Sequence, residues 1–461
     1  MMRMCRAVAL MATAATTACH LGPDYVAPQT AAPPAWAYAQ LDAPVTWPAA
    51  NWWTAFGSPT LNGLMIQAQQ GNTDLAAATA RLREAETQAE IAGAPLYPSV
   101  ELTPAAGPQR TLNQVGKERH YTSYQGYARI SYEIDFWGKN RAALESAQAS
   151  AESTRFARDV VWLTTSSGIA NLYFQATAAE DRLKVAHDNL DKAQRVLHDV
   201  VLQERKGIVP HLAVVQQQAV VAVLSTATPP LEQQLAASRI ALAILVGRLP
   251  EAFQLAPGSL HNLQAPPLAT GVPSELLARR PDVKQAEANL IAANADICVG
   301  RAQFFPSFGL NLTGGIDAIT LVQGATPALA AYSVLASVTQ PIFEGGALQG
   351  KLDQTKARYQ ELLAGNYRQA VLSAFGDVEL ALAGVKAAQD EQAAQQRTVV
   401  FAQQTSALAT QSLQGGVGTI LTLLNAETAE YSAQDALVQA RLGYFQALVG
   451  LTKALGGGWK P

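Results

Sequence analysis

Residues 124–136 read YQGYARISYEIDF. The even positions are Tyr124, Gly126, Ala128, Ile130, Tyr132, Ile134 and Phe136; the odd ones are Gln125, Tyr127, Arg129, Ser131, Glu133 and Asp135. Successive side chains of a strand point to opposite faces, so this period of two predicts a β-strand with one apolar and one polar side. A weaker strand at 98–104 precedes it, across a Gly/Pro-rich loop at 105–120. A second pair, 306–316 and 331–343, flanks a loop at 317–330; there Phe308, Leu310, Leu312 and Ile316 fall on one side.

The two pairs belong to an internal duplication. Residues 82–102 align with 290–310 at an offset of 208, setting Pro98-Ser99 on Pro306-Ser307. Asp135-Phe136-Trp137-Gly138 meets Ile342-Phe343-Glu344-Gly345, and Lys206-Gly207-Ile208-Val209 meets Gly415-Gly416-Val417-Gly418. So long a period indicates a doubled subdomain rather than a solenoid. Each half begins with a helix, 61–92 or 274–302, and follows its strand pair with a proline-free run, 138–206 or 346–414. Such a run would span about 100 Å as α-helix. Gly168, Gly350, Gly365, Gly376 and Gly384 are expected bend positions. Return helices are expected at 210–247, kinked or split at Pro229-Pro230, and at 419–456. The layout is therefore a signal (1–18), an N-terminal segment (19–60), two repeats (61–250 and 274–456) joined by a linker (251–273), and a tail (457–461).

After the signal no apolar run reaches the length of a spanning helix, so any crossing of a bilayer must use strands. Four tilted strands would close into a ring only about 8 Å across, too narrow for their own side chains. Two chains would give a plugged eight-stranded barrel. Three would give twelve strands and a conduit of about 24 Å. The polar face of 124–136 then lines water and its Tyr/Ile face meets lipid. The long helices, rich in Ala, Gln, Ser and Thr and without clean heptads, suit a close-packed, water-lined wall better than a coiled coil.

Charged residues are 15% of the chain and the net charge is −3, which excludes a nucleic-acid binder. His187 and His198 show no ligand spacing, and no metal or cofactor is expected. Gly345 to Lys351 approaches a phosphate loop, but Leu352 replaces the Mg²⁺-binding hydroxyl. With no nucleophile and base set, no catalytic residues are expected, and the chain is read as a non-enzyme. Arg279-Arg280-Pro281-Asp282 is read as structural, with Asp282 capping or pairing where a helix resumes, and Trp52-Trp53 as packing.

Several motifs match one family. They are Leu21-Gly22-Pro23-Asp24-Tyr25, Trp52-Trp53, Asn72-x-Asp74-Leu75, residues 132–138 (YEIDFWG), Leu276-Leu277-Ala278-Arg279-Arg280-Pro281-Asp282-Val283 and Phe304-Phe305-Pro306-Ser307. In these the chain resembles the TolC-like outer-membrane efflux proteins, in particular the NodT-type lipoprotein branch. The resemblance implies a mainly α fold with a membrane β-barrel. Two repeats would give four strands per chain to a homotrimeric twelve-stranded barrel in outer-membrane lipid, above a long periplasmic α-barrel. It implies a passive exit duct for small molecules such as drugs, working with a periplasmic membrane-fusion (adaptor) protein and an inner-membrane pump.

Residue by residue, the tips Arg205, Lys206, Gly207, Ile208, Val209 and Gly415, Gly416, Val417, Gly418, Thr419 match the adaptor-docking turns. Leu421, Thr422 and Asn425 fall at the gate, where relatives carry acidic side chains. Cys19, after Thr16-Thr17-Ala18, resembles a lipobox cysteine, although Thr16 stands where Leu is usual. A type I protein-secretion duct is the alternative within transport, and a non-conducting periplasmic coiled-coil scaffold the alternative outside it.

Overall fold

The structure, a computed structural model, describes residues 21–29, 32–38, 47–112, 116, 118–267, 271–321, 324–325 and 329–459. The expected signal (1–18) and Cys19 lie outside the described residues. The chain divides into two compact units, residues 1–29, 81–155 and 285–369 in one and 30–80, 156–284 and 370–461 in the other.

The first unit carries the sheet. Strands β1 (Ser99–Leu112), β2 (Glu118–Ile134), β3 (Ser307–Leu321), the two-residue β4 (Gly324–Ala325) and β5 (Leu329–Thr339) pair antiparallel. β2 lies between β1 and β3, and β3 also pairs β4 and β5. The two halves of the duplication thus meet at β2–β3, with Arg129 opposite Glu101 on one side and Thr313 on the other. The register puts Gln125, Arg129, Ser131, Glu133, Asn311, Thr313 and Asp317 on one face. The other face carries Val100, Leu102, Ile130, Leu310, Leu312, Ile316, Tyr332, Val334 and Val338. Tyr332 is 86% and Leu102 72% exposed, an apolar surface that no part of the described chain covers. Toward the strand ends that face gives way to Arg110, Glu118 and His120, with Glu118 paired to both. An outward apolar band flanked by polar strand ends is the pattern of a membrane β-barrel, whose band is about 25 Å tall.

Three strands run beyond their expected limits of 98–104, 124–136 and 306–316, whereas the one expected at 331–343 starts two residues early and ends at Thr339. The first hairpin takes in most of the expected loop, because Pro104, Gly107 and Pro108 are tolerated in a strand at the sheet's edge. At the other end β2 stops at Ile134 rather than Phe136. Asp135 instead caps the next helix, accepting from the backbone N–H of Asn140 (3.0 Å) and Arg141 (2.9 Å). Trp137 Nε1 donates to Pro306 O at 2.8 Å and ties the two strand–helix junctions together.

The helices also differ from expectation in places. The helix expected at 61–92 is two, α1 (Pro59–Gly71) and α2 (Thr73–Gly93), and that expected at 274–302 is α6 (Pro273–Arg279) and α7 (Pro281–Ala302). Arg280 is extended because Pro281 disfavours helical backbone before it. Asn72, the residue at the equivalent place, closes α1 with its N–H to Ala68 O and opens α2 by accepting from Leu75 N at 2.8 Å. The first long helix, α3 (Lys139–Arg205), is continuous over 67 residues and passes through Gly168 unbroken. Its counterpart is interrupted: α8 (Ala347–Glu361) leads through a π-helical turn (Leu362–Tyr367, holding Gly365) into α9 (Arg368–Gln414). The first return helix splits into α4 (His211–Ser225) and α5 (Thr228–Leu245), with Pro229 and Pro230 in the first turn of α5. The second, α10 (Ile420–Ala454), is whole.

The core of the second unit is built on Phe56, Phe174 and Phe445, whose ring centroids lie 5.0–5.8 Å apart. Trp52 and Trp53 are buried beside it, edge-on to each other.

Candidate functional site

The second unit holds both hairpin tips, and they are built alike. At the end of α3, Gly207 N–H bonds Glu204 O (2.8 Å) and Ile208 N–H bonds Gln203 O (3.0 Å). At the end of α9, Gly416 N–H bonds Leu413 O and Val417 N–H bonds Ser412 O, both at 3.1 Å. This is the same helix-ending motif twice, with φ of +74° at Gly207 and +73° at Gly416, a conformation that a side chain penalises. In such motifs the residue after the glycine packs back onto the helix when it finds an apolar partner. Here the partner positions are Gln203 and Ser412, and Ile208 (66%) and Val417 (87%) stand in solvent.

The remaining tip residues divide by role. Arg205, Lys206 and Gly415 are exposed, and the two cations sit favourably at a helix C-terminus. Val209 turns inward against Val200, Ala213 and Val214. Thr419 caps α10, accepting from Thr422 N at 3.2 Å. The two hairpins are packed together at this end, since Val196 and Ile420 belong both to that cluster and to one of Ala409, Leu423 and Ala426. Leu421, Thr422 and Asn425 lie on the exposed face of the first turns of α10, with Leu423 and Leu424 buried behind. The Thr422 hydroxyl lies 2.9 Å from that of Thr419.

A polar seam between α3 and α10 escaped the sequence reading. Arg182 donates to both oxygens of Asp435 (2.6 and 3.1 Å), Asn189 to Gln434 (2.8 Å) and Lys192 to Glu430 (3.1 Å). Among the described residues no cluster of His, Cys, Asp or Glu has the arrangement of a metal site.

In the first unit, the segment after Cys19 lies along α7. Asn294 Nδ2 donates to Pro23 O (2.8 Å), Arg301 donates to Leu21 O (3.1 Å), and Gly22 rests directly on buried Cys298. The segment therefore runs backward from Tyr25 toward the end of α7 that leads into β3.

The sequence profile described as "Outer membrane efflux protein" matches twice, over residues 64–248 and 272–457. The chain belongs to that family. The pyoverdine export outer membrane protein OpmQ of Pseudomonas aeruginosa is 39% identical over 443 residues, covering 93% of this chain and 92% of its own. The cation efflux system protein CusC of Escherichia coli K12 is 29% identical, covering 99% of this chain and 100% of its own. The open state of the Neisseria gonorrhoeae MtrE outer membrane channel superposes with a TM-score of 0.85 at 28% identity, over 96% of this chain and 99% of MtrE. The fold is TolC-like, and the protein is an outer-membrane efflux channel component of a family of channels rather than enzymes.

Proposed function

We propose that this efflux protein is the passive exit duct of a tripartite pump, closed into a twelve-stranded barrel by three copies. One observation carries the reading: a sheet with a lipid-suited face, a water-suited face, and two outer strands, β1 and β5, whose far edges have no partner among the described residues. Hydrocarbon does not tolerate such edges, so further copies must pair them. Cargo is a small molecule delivered by an inner-membrane pump. Likeness to a pyoverdine export protein favours an exported compound of the pyoverdine kind.

The tips are the docking surface for a periplasmic adaptor. Two aliphatic side chains, Ile208 and Val417, stand exposed at equivalent places of the two tips, Ile208 just after the Arg205-Lys206 cations, and burying each is worth about 1.5–3 kcal/mol. In the double variant Ile208→Asp/Val417→Asp, export in cells should fall at least tenfold while purified protein keeps its oligomeric state and bilayer conductance. Unchanged export would remove the tips from the docking role.

Leu421, Thr422 and Asn425 form the constriction, closed by packing and hydrogen bonds rather than by a carboxylate ring. Cys19 carries a lipid anchor. It is two residues from Leu21, at most about 7 Å of chain, and Leu21 is held beside the last turn of α7, six residues before β3 begins. An acyl chain on Cys19 would then lie close to the strand-bearing end of the first unit. Mass spectrometry of the mature protein should show acylation that Cys19→Ser abolishes. Because the barrel itself spans the membrane and one acyl chain anchors only marginally, the variant should still reach the outer membrane.

A further inference from the structure

Glu427 lies on α10 just past Asn425, half-buried, with Oε2 enclosed and without a hydrogen-bond partner among the described residues. Its neighbour one turn on, Glu430, is only 7% exposed but well served: Oε1 accepts from Lys192 Nζ at 3.1 Å and from Gln434 Nε2 at 2.9 Å. Gln434 bonds in turn to Asn189 of α3. Beside the paired Asp435, the α3–α10 seam thus contains two glutamates, one satisfied by the facing helix and one not. The charged groups acting on Glu427 are Glu430 on its own helix and Lys192 on α3. Burial first, and then the charge of Glu430, push its carboxyl above the usual range, with Lys192 opposing.

We propose that Glu427 is a proton-operated latch: neutral, it lets α3 and α10 close on each other; ionised, it loosens this seam next to the proposed constriction. An ionised carboxylate oxygen shut away from water costs free energy that opening the seam relieves. A carboxylic acid held above its ordinary 4.5 in the closed seam binds its proton more tightly closed than open. Closure is therefore fully supported below that ordinary value and is lost as pH rises through the raised one.

The latch rests on the exit-duct reading only for its effect on conductance, and two readouts separate them. The first is amide hydrogen exchange over residues 423–430, corrected for intrinsic rate, from pH 5 to 8. The second is the open fraction of the full-length protein in planar bilayers over the same range. In the wild type, protection should fall and opening rise several-fold as pH increases. Glu427→Gln, a neutral isostere of the protonated form, should hold both at their low-pH values throughout. Glu430→Gln, which removes the Lys192 pair, should be loosened at every pH. Exchange that titrates identically in the wild type and Glu427→Gln, or does not titrate in the wild type, overturns the latch. Absence of conductance at every pH overturns the duct while exchange still decides the latch.

Discussion

Gly247→Ala is expected to destabilise the protein strongly and to lower the amount of folded channel in the outer membrane. Gly247 ends α5 with φ at +73°, which costs an alanine about 1–2 kcal/mol. A Cβ there would lie 1.9 Å from the carbonyl oxygen of Gly71, and the clash is with backbone, which cannot swing aside. Overpacking of this kind adds about 1–3 kcal/mol, and the combined loss is a large part of a typical stability of about 5–15 kcal/mol. The close approach is where α1 ends: Asn72 Nδ2 reaches across it to Leu245 O at 2.8 Å. Gly350→Ala is the matching control. It lies in α8, where an added Cβ meets no other atom of the described residues within 4 Å, and alanine there should stabilise by about 0.5–1 kcal/mol. Thermal unfolding followed by helical circular dichroism, with the amount of protein in outer-membrane fractions, distinguishes the two.

Arg280→Ala should cost about 3 kcal/mol or more. The guanidinium is buried and holds Asp282 with two hydrogen bonds (2.6 and 2.9 Å), Asp377 with one (2.8 Å) and the carbonyl of Ala454 at 3.4 Å. Burial works against its charge, but the two carboxylates more than offset this and hold its pKa above the ordinary value. Removing it leaves a helix end without its donor and two acids facing each other. Both acids reach water in part, which keeps the loss toward the lower end of the about 3–5 kcal/mol seen for broken buried pairs. Arg280→Lys should recover little, since one ammonium cannot span both carboxylates and the carbonyl. Melting temperature in detergent measures both.

Arg280 and Asn72 also show where sequence reasoning ran out. They are 208 residues apart, the repeat offset, and each reaches the last turn of its own return helix, at Leu245 and Ala454. The offset was legible, but the role was not, because the partner carbonyls are 173 and 174 residues away. The faces of β2 and β3 could be read because lipid and water impose a strict alternation. The outer parts of β1 and β3 could not, because beyond the apolar band nothing enforces it and Pro104, Gly107 and Pro108 look like a loop. The split at Pro229-Pro230 follows from proline alone, whereas only one of four candidate glycines, Gly365, marks the break in the second long helix. The tips were legible as turns; the outward setting of Ile208 and Val417 depends on polar residues five positions earlier. The Lys192–Glu430 seam had no local signal at all, since its partners are 238 residues apart.

The mass of the full-length protein purified in detergent, measured by native mass spectrometry or light scattering, bears most directly on whether one chain is an incomplete wall. Particles of three mature chains, rich in helix and sheet and conducting in bilayers, are the expected result. A stable single-chain particle that conducts, or one in which the edges of β1 and β5 stay unpaired in lipid, would contradict it.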